Sequence, residues 1–298
     1  MDVRRLNMPR RVIALAVLLV GISGVGIAAN AALNTGRLDS DDAVTGEART
    51  DPASTNPART DSASTYSERL ALVIGNSDYP DAETPLAHPV NDARALASAL
   101  RRGGFEVDQL ENADRKEFDG AIDRLRSRIR PGSVVMLFFG GYAVQSGIES
   151  YLLPVDAVIW KERDVRRQGV AIGPVLEMIR EQGARAQLVV LDASRRNPFE
   201  RRFRLYSRGL GPIKAAGNAL VLSSNAPNRV VSDRDGAHSV LVSEFLKSLA
   251  RQVSARTIFN STRFGVSRIS EGDQIPAMSS SLEEDVELGP MHAGGNAG

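Results

Sequence analysis

The chain of 298 residues contains no cysteine, and aromatic residues make up 5% of it, with a single tryptophan. Without cysteine there is no disulfide bond, no thiolate zinc site and no cysteine nucleophile. Basic and acidic residues nearly cancel to a net charge of +1, so overall charge gives no reason to expect a nucleic-acid partner. No metal-ligand cluster or phosphate-binding glycine loop stands out, and we expect no metal or other cofactor.

The N-terminal region has the pattern of an export or membrane segment. Four arginines within residues 4–11 precede Val12–Leu33, an uncharged stretch of 22 residues. A helix needs about 20 apolar residues to cross the hydrocarbon core, and flanking arginines favour the cytoplasmic side. The small residues Ala29-Asn30-Ala31 also fit a signal-peptide cleavage site. A retained inner-membrane anchor and a cleaved signal both stay open, and either one predicts a periplasmic or other extracytoplasmic domain.

Composition divides the chain into four parts. Residues 1–33 form the anchor or signal, and residues 34–67 are rich in Ala, Ser, Thr, Asp and Pro, with almost no large apolar side chains. Such a segment buries too little apolar surface to fold, so it is predicted to be a disordered linker. Residues 68–288 are predicted to form the folded domain, followed by a flexible tail at 289–298.

Within the folded domain, apolar runs of strand length alternate with helical patterns. Strands are predicted at 69–75, 105–110, 133–140, 187–194 and 219–224. Helices are predicted at 89–104, 115–129, 172–182, 239–252 and 257–269, and the segment between 141 and 171 is expected to be irregular apart from motifs discussed below. Trp160 is expected to pack against the domain, with an exposed anchor for a partner as the alternative. The alternation predicts an α/β fold: a mostly parallel sheet of about six strands with helices on both faces.

In parallel sheets, functional groups gather beyond the carboxyl ends of the strands. The segments that follow the first, third and fourth predicted strands are therefore the candidates for a site. They are residues 76–88, 140–145 and 192–197.

These segments, with their neighbours, carry a family resemblance. ALVIGNSDY at 71–79, FFGGYAVQ at 138–145, ESYLLPVDA at 149–157 and LDASRRNPF at 191–199 occur in the order of known motifs. With PVNDARALASALRRGGFEV at 89–107, they resemble the caspase and metacaspase group, in particular its bacterial metacaspase-like branch. The resemblance covers about residues 69–287 and implies the caspase-like fold and a family of cysteine endopeptidases. Residues 276–282 resemble the family's terminal segment, which implies a final edge strand there.

The resemblance also locates the departures from that family. The catalytic histidine corresponds to Tyr142 and the following oxyanion-hole glycine corresponds to Ala143. The catalytic cysteine corresponds to Ser194, and an aspartate two residues later corresponds to Arg196. Asp192 is retained, and in metacaspase-like members this aspartate helps bind a basic residue before the cleaved bond. The resemblance therefore implies a partner with exposed arginine or lysine.

The replaced positions argue against proteolysis. A cysteine attacks as a thiolate held by an adjacent histidine, whereas Ser194 needs a base during attack. A phenol such as Tyr142 has a pKa near 10 and is a poor base at neutral pH. We therefore expect an inactive pseudoprotease that serves as an envelope-side binding or regulatory module. An active hydrolase using Ser194 with another base, for which His88 is the nearest candidate, and a purely structural domain are the alternatives.

Two smaller questions stay open from the sequence. The hydroxyls of Tyr142 and Ser194 either hydrogen-bond across the former active site or are merely solvated. A run of arginines is either a solvated loop, which we favour, or a binding surface for an anionic partner such as lipid headgroups. Its members are Arg195, Arg196, Arg201, Arg202, Arg204 and Arg208.

Overall fold

The computed structural model describes residues 68–288, apart from residues 81–85, 194, 196–209, 228, 232–235 and 252. The predicted N-terminal span, the linker and the tail lie outside the described residues, as do Ser194 and Arg196. Within the described ranges, no helix is both long and apolar enough to cross a membrane. All described elements belong to one compact unit within residues 61–298.

The main sheet has six strands in the order β2-β1-β3-β7-β8-β9, of which the first five are parallel and β9 runs antiparallel to β8. This confirms the predicted fold class. The strands in chain order are β1 (Arg69–Gly75), β2 (Glu106–Glu111), β3 (Val134–Gly140), β4 (Ala143–Ser146), β5 (Glu149–Leu152), β6 (Val170–Ala171), β7 (Ala186–Asp192), β8 (Ala219–Ser223) and β9 (Ala277–Ser280). The helices are α1 (Pro89–Arg102), α2 (Arg115–Arg128), α3 (Glu162–Gln168), α4 (Ile172–Glu181), α5 (Val240–Leu249) and α6 (Ala255–Ile269).

Helices cover both faces of this sheet because the strand side chains alternate between two cores. Ala71 and Val73 of β1 pack with α1, α5 and α6 on one face. Leu70, Leu72 and Ile74 of the same strand pack with α2 and α4 on the other. Strands buried on both faces carry continuous apolar runs, which is why β1, β3 and β7 were predictable from the sequence.

Helix ends follow recognisable local chemistry. Pro89 opens α1, where its missing N–H costs nothing, and the helix ends at Gly103. A capping box starts α2, since Asp114 accepts from the Glu117 N–H while the Glu117 side chain accepts from the Asp114 N–H. The hydroxyl of Ser239 caps α5 by accepting from the Val242 N–H at 3.1 Å.

The segment between 141 and 171, expected to be largely irregular, is instead ordered into a second small sheet and a helix. Strands β4, β5 and β6 pair antiparallel in that order, and α3 lies between β5 and β6 in the chain. A third core cluster, which includes Tyr142, Leu153, Ile159 and Val165, supports this layer. The prediction failed because strands of two to four residues are too short to show a periodicity.

Trp160 does not pack into the domain as predicted. Its side chain is 58% exposed, in the loop just before α3. The neighbouring Ile159 is buried instead and fills the third core cluster. The expectation failed because the apolar contact that closes this loop is made by the residue before the tryptophan.

Close contact between β1 and α1 depends on Gly75. A Cβ at this position would overlap the carbonyl oxygen of Pro89 and come within 2.7 Å of the Ala93 Cβ. Because the overlap is partly with backbone, a flexible side chain cannot relieve it. Gly75 therefore sets the distance at which the first turn of α1 passes the end of β1.

We expect Gly75→Ala to destabilise the domain by about 1–3 kcal/mol through overpacking. Gly120→Ala is the matched control, because its Cβ would meet only Arg124 Nη1 at 3.4 Å within α2. That change should stabilise the domain by about 0.5–1 kcal/mol, since alanine favours a helix over glycine. Urea denaturation of residues 61–298 measures both, and equal effects of the two changes would contradict the close-contact argument.

Candidate functional site

The carboxyl ends of β1, β3 and β7 meet at one edge of the main sheet, which we call the rim. Gly75 of β1 is level with Gly140 of β3, and Gly140 is level with Asp192 of β7. The chain stays joined beyond the strands, because the Asn76 N–H donates to Gly140 O at 2.9 Å and the Gly141 N–H donates to Asp192 O at 3.3 Å. The predicted segments that begin at residues 76, 140 and 192 are therefore neighbours.

Asn76 connects the rim to the second sheet. Its amide Nδ2 donates to Leu153 O at 3.3 Å and to Ala113 O at 3.4 Å, and its Oδ1 accepts from the Ala113 N–H at 2.9 Å. This side chain is fully buried, so each of these bonds satisfies a backbone group that water does not reach. Asn76 therefore holds the chain beyond β1, β2 and β5 in one arrangement.

Tyr142, at the position of the family's histidine, packs against Tyr79. The two rings meet edge to face with centroids 4.9 Å apart. The Tyr79 hydroxyl accepts from the Tyr142 N–H at 3.0 Å and donates to Leu153 O at 3.0 Å. Burial raises the pKa of Tyr79, so its phenol stays protonated. Both aromatic residues are buried, and Tyr142 belongs to a packed aromatic pair.

Of the other two positions that correspond to the family's catalytic machinery, the structure describes Ala143. Ala143 is buried, begins β4 opposite Leu152 and packs in the core cluster that contains α2 and α4. Ser194 lies outside the described residues. The predicted hydrogen bond between the Tyr142 and Ser194 hydroxyls therefore stays a prediction.

Asp192 faces Arg195 in a buried ion pair. Arg195 Nη2 lies 3.7 Å from Asp192 Oδ2, and the two side chains are 4% and 2% exposed. Neither Asp192 oxygen has a hydrogen-bond donor within 3.5 Å among the described residues. The expectation that Arg195 belongs to a solvated loop is therefore wrong, because the buried carboxylate draws this guanidinium inward. Arg196, Arg201, Arg202, Arg204 and Arg208 lie outside the described residues.

A second buried carboxylate, Asp92 in the first turn of α1, lies at the same rim and was missed by the sequence analysis. Its Oδ1 is 2.8 Å from His238 Nδ1, and both its oxygens accept from the Ser239 N–H at 3.3 Å. Burial, and then the charge of Asp192, raise the pKa of Asp92 to about 6, although His238 and Ser239 act in the opposite direction. The available signal was an acidic residue on the buried face of α1, level with Leu96 one turn later.

The histidines differ in their capacity to act as a base. His88 Nε2 lies 3.1 Å from Gly236 O, and because a carbonyl only accepts, this nitrogen carries the proton. His238 is oriented through Nδ1 by Asp92, and its side chain is 31% exposed. His292 lies outside the described residues. Among the histidines that the structure describes, His238 therefore has the arrangement of an oriented general base, whereas the sequence pointed to His88 as the nearest candidate.

No group of three or more His, Asp or Glu side chains in the described ranges has the arrangement of a metal site. Among the described residues, the rim includes two buried carboxylates, one buried guanidinium, an oriented imidazole and an aromatic pair.

Comparisons with known proteins agree with this fold. The profile of the family described as Caspase domain matches residues 68–287. The human mucosa-associated lymphoid tissue lymphoma translocation protein 1 and its mouse homologue are each 25% identical over 135 residues, which is 45% of this chain and 16% of theirs. The chain thus spans about a sixth of the length of these curated relatives.

Two solved structures share the fold. The protein GSU0716 from Geobacter sulfurreducens has a TM-score of 0.54 at 17% identity, covering 73% of this chain and 95% of its own. The Drosophila initiator caspase Dronc has a TM-score of 0.54 at 13% identity, covering 74% of this chain and 83% of its own. At these identities the likeness shows the architecture alone.

The raised pKa of Asp92 predicts a pH dependence of stability. Aspartate in the unfolded chain titrates near 4, whereas Asp92 in the folded protein titrates at about 6. Between these values the folded state holds a proton that the unfolded chain has released. Asp92 therefore makes the domain more stable as the pH falls from about 6 to about 4, and this gain is absent above about pH 6.

The measurement is the free energy of unfolding of residues 61–298 against pH, for the wild type and for Asp92→Asn. As the pH falls across that window, the free energy of unfolding of the wild type relative to that of Asp92→Asn should increase by on the order of 1–3 kcal/mol. Asp123→Asn, at an exposed position of α2, is the control and should give no such shift. In His238→Gln the shift should persist, which separates Asp92 from the imidazole. A difference that is constant with pH would contradict the assignment.

Proposed function

The chain belongs to the Caspase domain family, and we propose that it is a catalytically inactive member whose rim binds a basic peptide segment. In this proposal the domain acts as a recognition or regulatory module on the outer side of the membrane, where the N-terminal segment is predicted to deliver it. Binding of arginine or lysine replaces cleavage as the function of the site.

The observation that carries this proposal is the environment of Tyr142. A general base must present an unprotonated atom to the nucleophile, and the residue at the histidine position is a buried phenol packed against Tyr79. Removing members of a catalytic triad leaves only the contribution of the oxyanion hole and of binding, a loss of thousands-fold or more. Here the histidine and the cysteine are both replaced, and Ala143 stands at the oxyanion-hole position.

The capacity to bind a cation rests on the charges at the rim. Asp92 and Asp192 interact closely enough for the charge of Asp192 to raise the pKa of Asp92. Arg195 is the permanent cation paired with Asp192, while Asp92 is paired with an imidazole. With a neutral imidazole, and among the described residues alone, the two carboxylates face one permanent cation. In the proposal, an incoming guanidinium or ammonium group supplies the second cation, either beside Arg195 or in its place.

A second candidate, a serine hydrolase, is favoured by one observation. Asp92 orients the His238 imidazole through Nδ1, as the carboxylate does in a Ser-His-Asp triad. Both residues lie at the rim where β7 ends at Asp192, and Ser194 follows two residues later in the chain. In this candidate His238 would take the proton of Ser194. The buried phenol at position 142 plays no part in it.

Turnover separates the two candidates. Fluorogenic peptides with arginine, lysine or aspartate before the scissile bond should show no hydrolysis by residues 61–298 above the level of Ser194→Ala. Hydrolysis that is lost in both Ser194→Ala and His238→Gln, but kept in His292→Gln, would overturn the inactive assignment. It would establish the serine hydrolase instead.

Peptide binding tests the recognition function directly. A labelled peptide with one central arginine should bind the wild-type domain at least tenfold more tightly than the same peptide with citrulline, which has the same shape without the charge. Asp192→Asn should reduce this preference about tenfold, equal to about 1.4 kcal/mol, whereas Asp123→Asn should leave it unchanged. Fluorescence anisotropy gives the affinities. A wild-type domain that does not distinguish the two peptides would favour the purely structural alternative.

A further inference from the structure

An apolar side chain stands out from the turn of the second sheet. Ser146 of β4 pairs with Glu149 of β5, so Gly147 and Ile148 form the connecting turn. Gly147 has a φ of +64°, which favours glycine and allows this tight turn. Ile148 is 99% exposed, so its whole side chain projects into the surroundings of the domain.

The start of α3 is attached to this turn. Ser146 Oγ donates to Glu162 Oε1 at 2.8 Å, and Arg166 Nη1 donates to Ser146 Oγ at 3.2 Å. Ile148 is two residues from one end of this contact, and Trp160 is two residues from the other. Val158, two residues before Trp160 in the same loop, is 45% exposed. Three large apolar side chains thus flank one hydrogen-bonded junction at the surface.

Basic residues surround the same junction. Lys161, Arg163, Arg166 and Arg167 are all exposed. The acidic residues of α3 are partly or fully buried: Asp164 accepts from the Trp160 and Lys161 N–H groups, at 3.1 and 3.0 Å. Glu162 pairs with Arg166 at 3.2 Å and Asp164 with Arg167 at 3.6 Å, so within residues 161–168 four cations meet two anions. On this segment the acids hold the loop and the four cations are exposed. Of the acids near the apolar side chains, Glu149 accepts from the Gly173 N–H and Asp156 from the Arg115 N–H.

We propose that this surface, formed by Ile148, Val158, Trp160, Lys161, Arg163, Arg166 and Arg167, binds the anionic headgroup region of a lipid bilayer. Tryptophan prefers the membrane interface, where its apolar ring contacts the acyl chains and its N–H contacts water. Lysine and arginine near an anionic leaflet each contribute about 1 kcal/mol. A projecting isoleucine beside them enters the acyl boundary without a preformed pocket, which a protein partner would have to supply.

The chain outside the described residues makes such binding effective even if it is weak. The predicted linker at 34–67 would hold the domain within roughly 30 Å of the predicted membrane segment, taking 5–6 Å times the square root of its length. A tether of this kind raises the local concentration of the second contact to about the millimolar range. This inference goes beyond peptide recognition and does not depend on the rim.

The sole tryptophan of the chain makes the test direct, because intrinsic tryptophan fluorescence reports on Trp160 alone. The probe is a vesicle of phosphatidylcholine with about a third phosphatidylglycerol, added to residues 61–298. It should shift the Trp160 emission to shorter wavelength and reduce quenching by acrylamide. Vesicles of phosphatidylcholine alone should do neither. The shift should weaken as salt rises from about 0.05 to 0.5 M, since headgroup attraction is screened.

Co-sedimentation with the same vesicles tests the surface residues. The double variant Lys161→Glu, Arg163→Glu should lose at least tenfold in bound fraction, and Trp160→Ala should lose several-fold. Phe264→Ala combined with Arg268→Glu, an exposed aromatic and an exposed cation on α6, is the matched control and should bind like the wild type. Wild-type protein that fails to sediment at low salt, or variants that bind unchanged, would overturn the proposal. An emission shift that follows protein concentration without vesicles would assign the surface to a second copy instead.

Discussion

Burial of the main sheet on both faces is the constraint on which the rest of the structure depends. Strands β3, β7 and β8 have no solvent-facing side, so their side chains are almost all apolar and polar groups are driven to the strand ends. Close packing of the helix layers adds the requirement for Gly75 at the end of β1. Backbone groups that leave the sheet at this edge need partners, and the side chains of Asn76 and Tyr79 supply them.

This constraint explains how the scaffold holds together without a histidine at position 142. The hydrogen bonds that position the rim come from Asn76, Tyr79 and backbone groups, and none of them requires a histidine at 142. The Tyr142 N–H is held by the Tyr79 hydroxyl, while the Tyr142 ring fills space in the third core cluster. Asp92 contacts His238 and Asp192 contacts Arg195, so the proposed binding of a cation does not require a histidine at 142.

The accuracy of sequence-based prediction followed the length of the elements. The strand ending at Gly75 and the helix beginning at Pro89 were predicted within a residue or two, because continuous apolar runs and a 3.6-residue period are strong signals. Strands β4 to β6 were missed, since elements of two to four residues carry no periodicity. The burial of Trp160 was predicted wrongly because local sequence does not show which of two adjacent loop residues, Ile159 or Trp160, contacts the core.

The sequence by itself determined the chemical inventory: a chain without cysteine has no thiolate, and a phenol at position 142 does not act as an imidazole. It also determined which runs become strands and which become helices, because those choices rest on local periodicity. Only the tertiary structure decided which ionisable groups meet. Asp92 contacts His238 across 146 residues of chain, and Arg195 turns inward to Asp192. The physical reason is that the energy of a buried charge depends on its neighbours in space, and chain folding sets those neighbours.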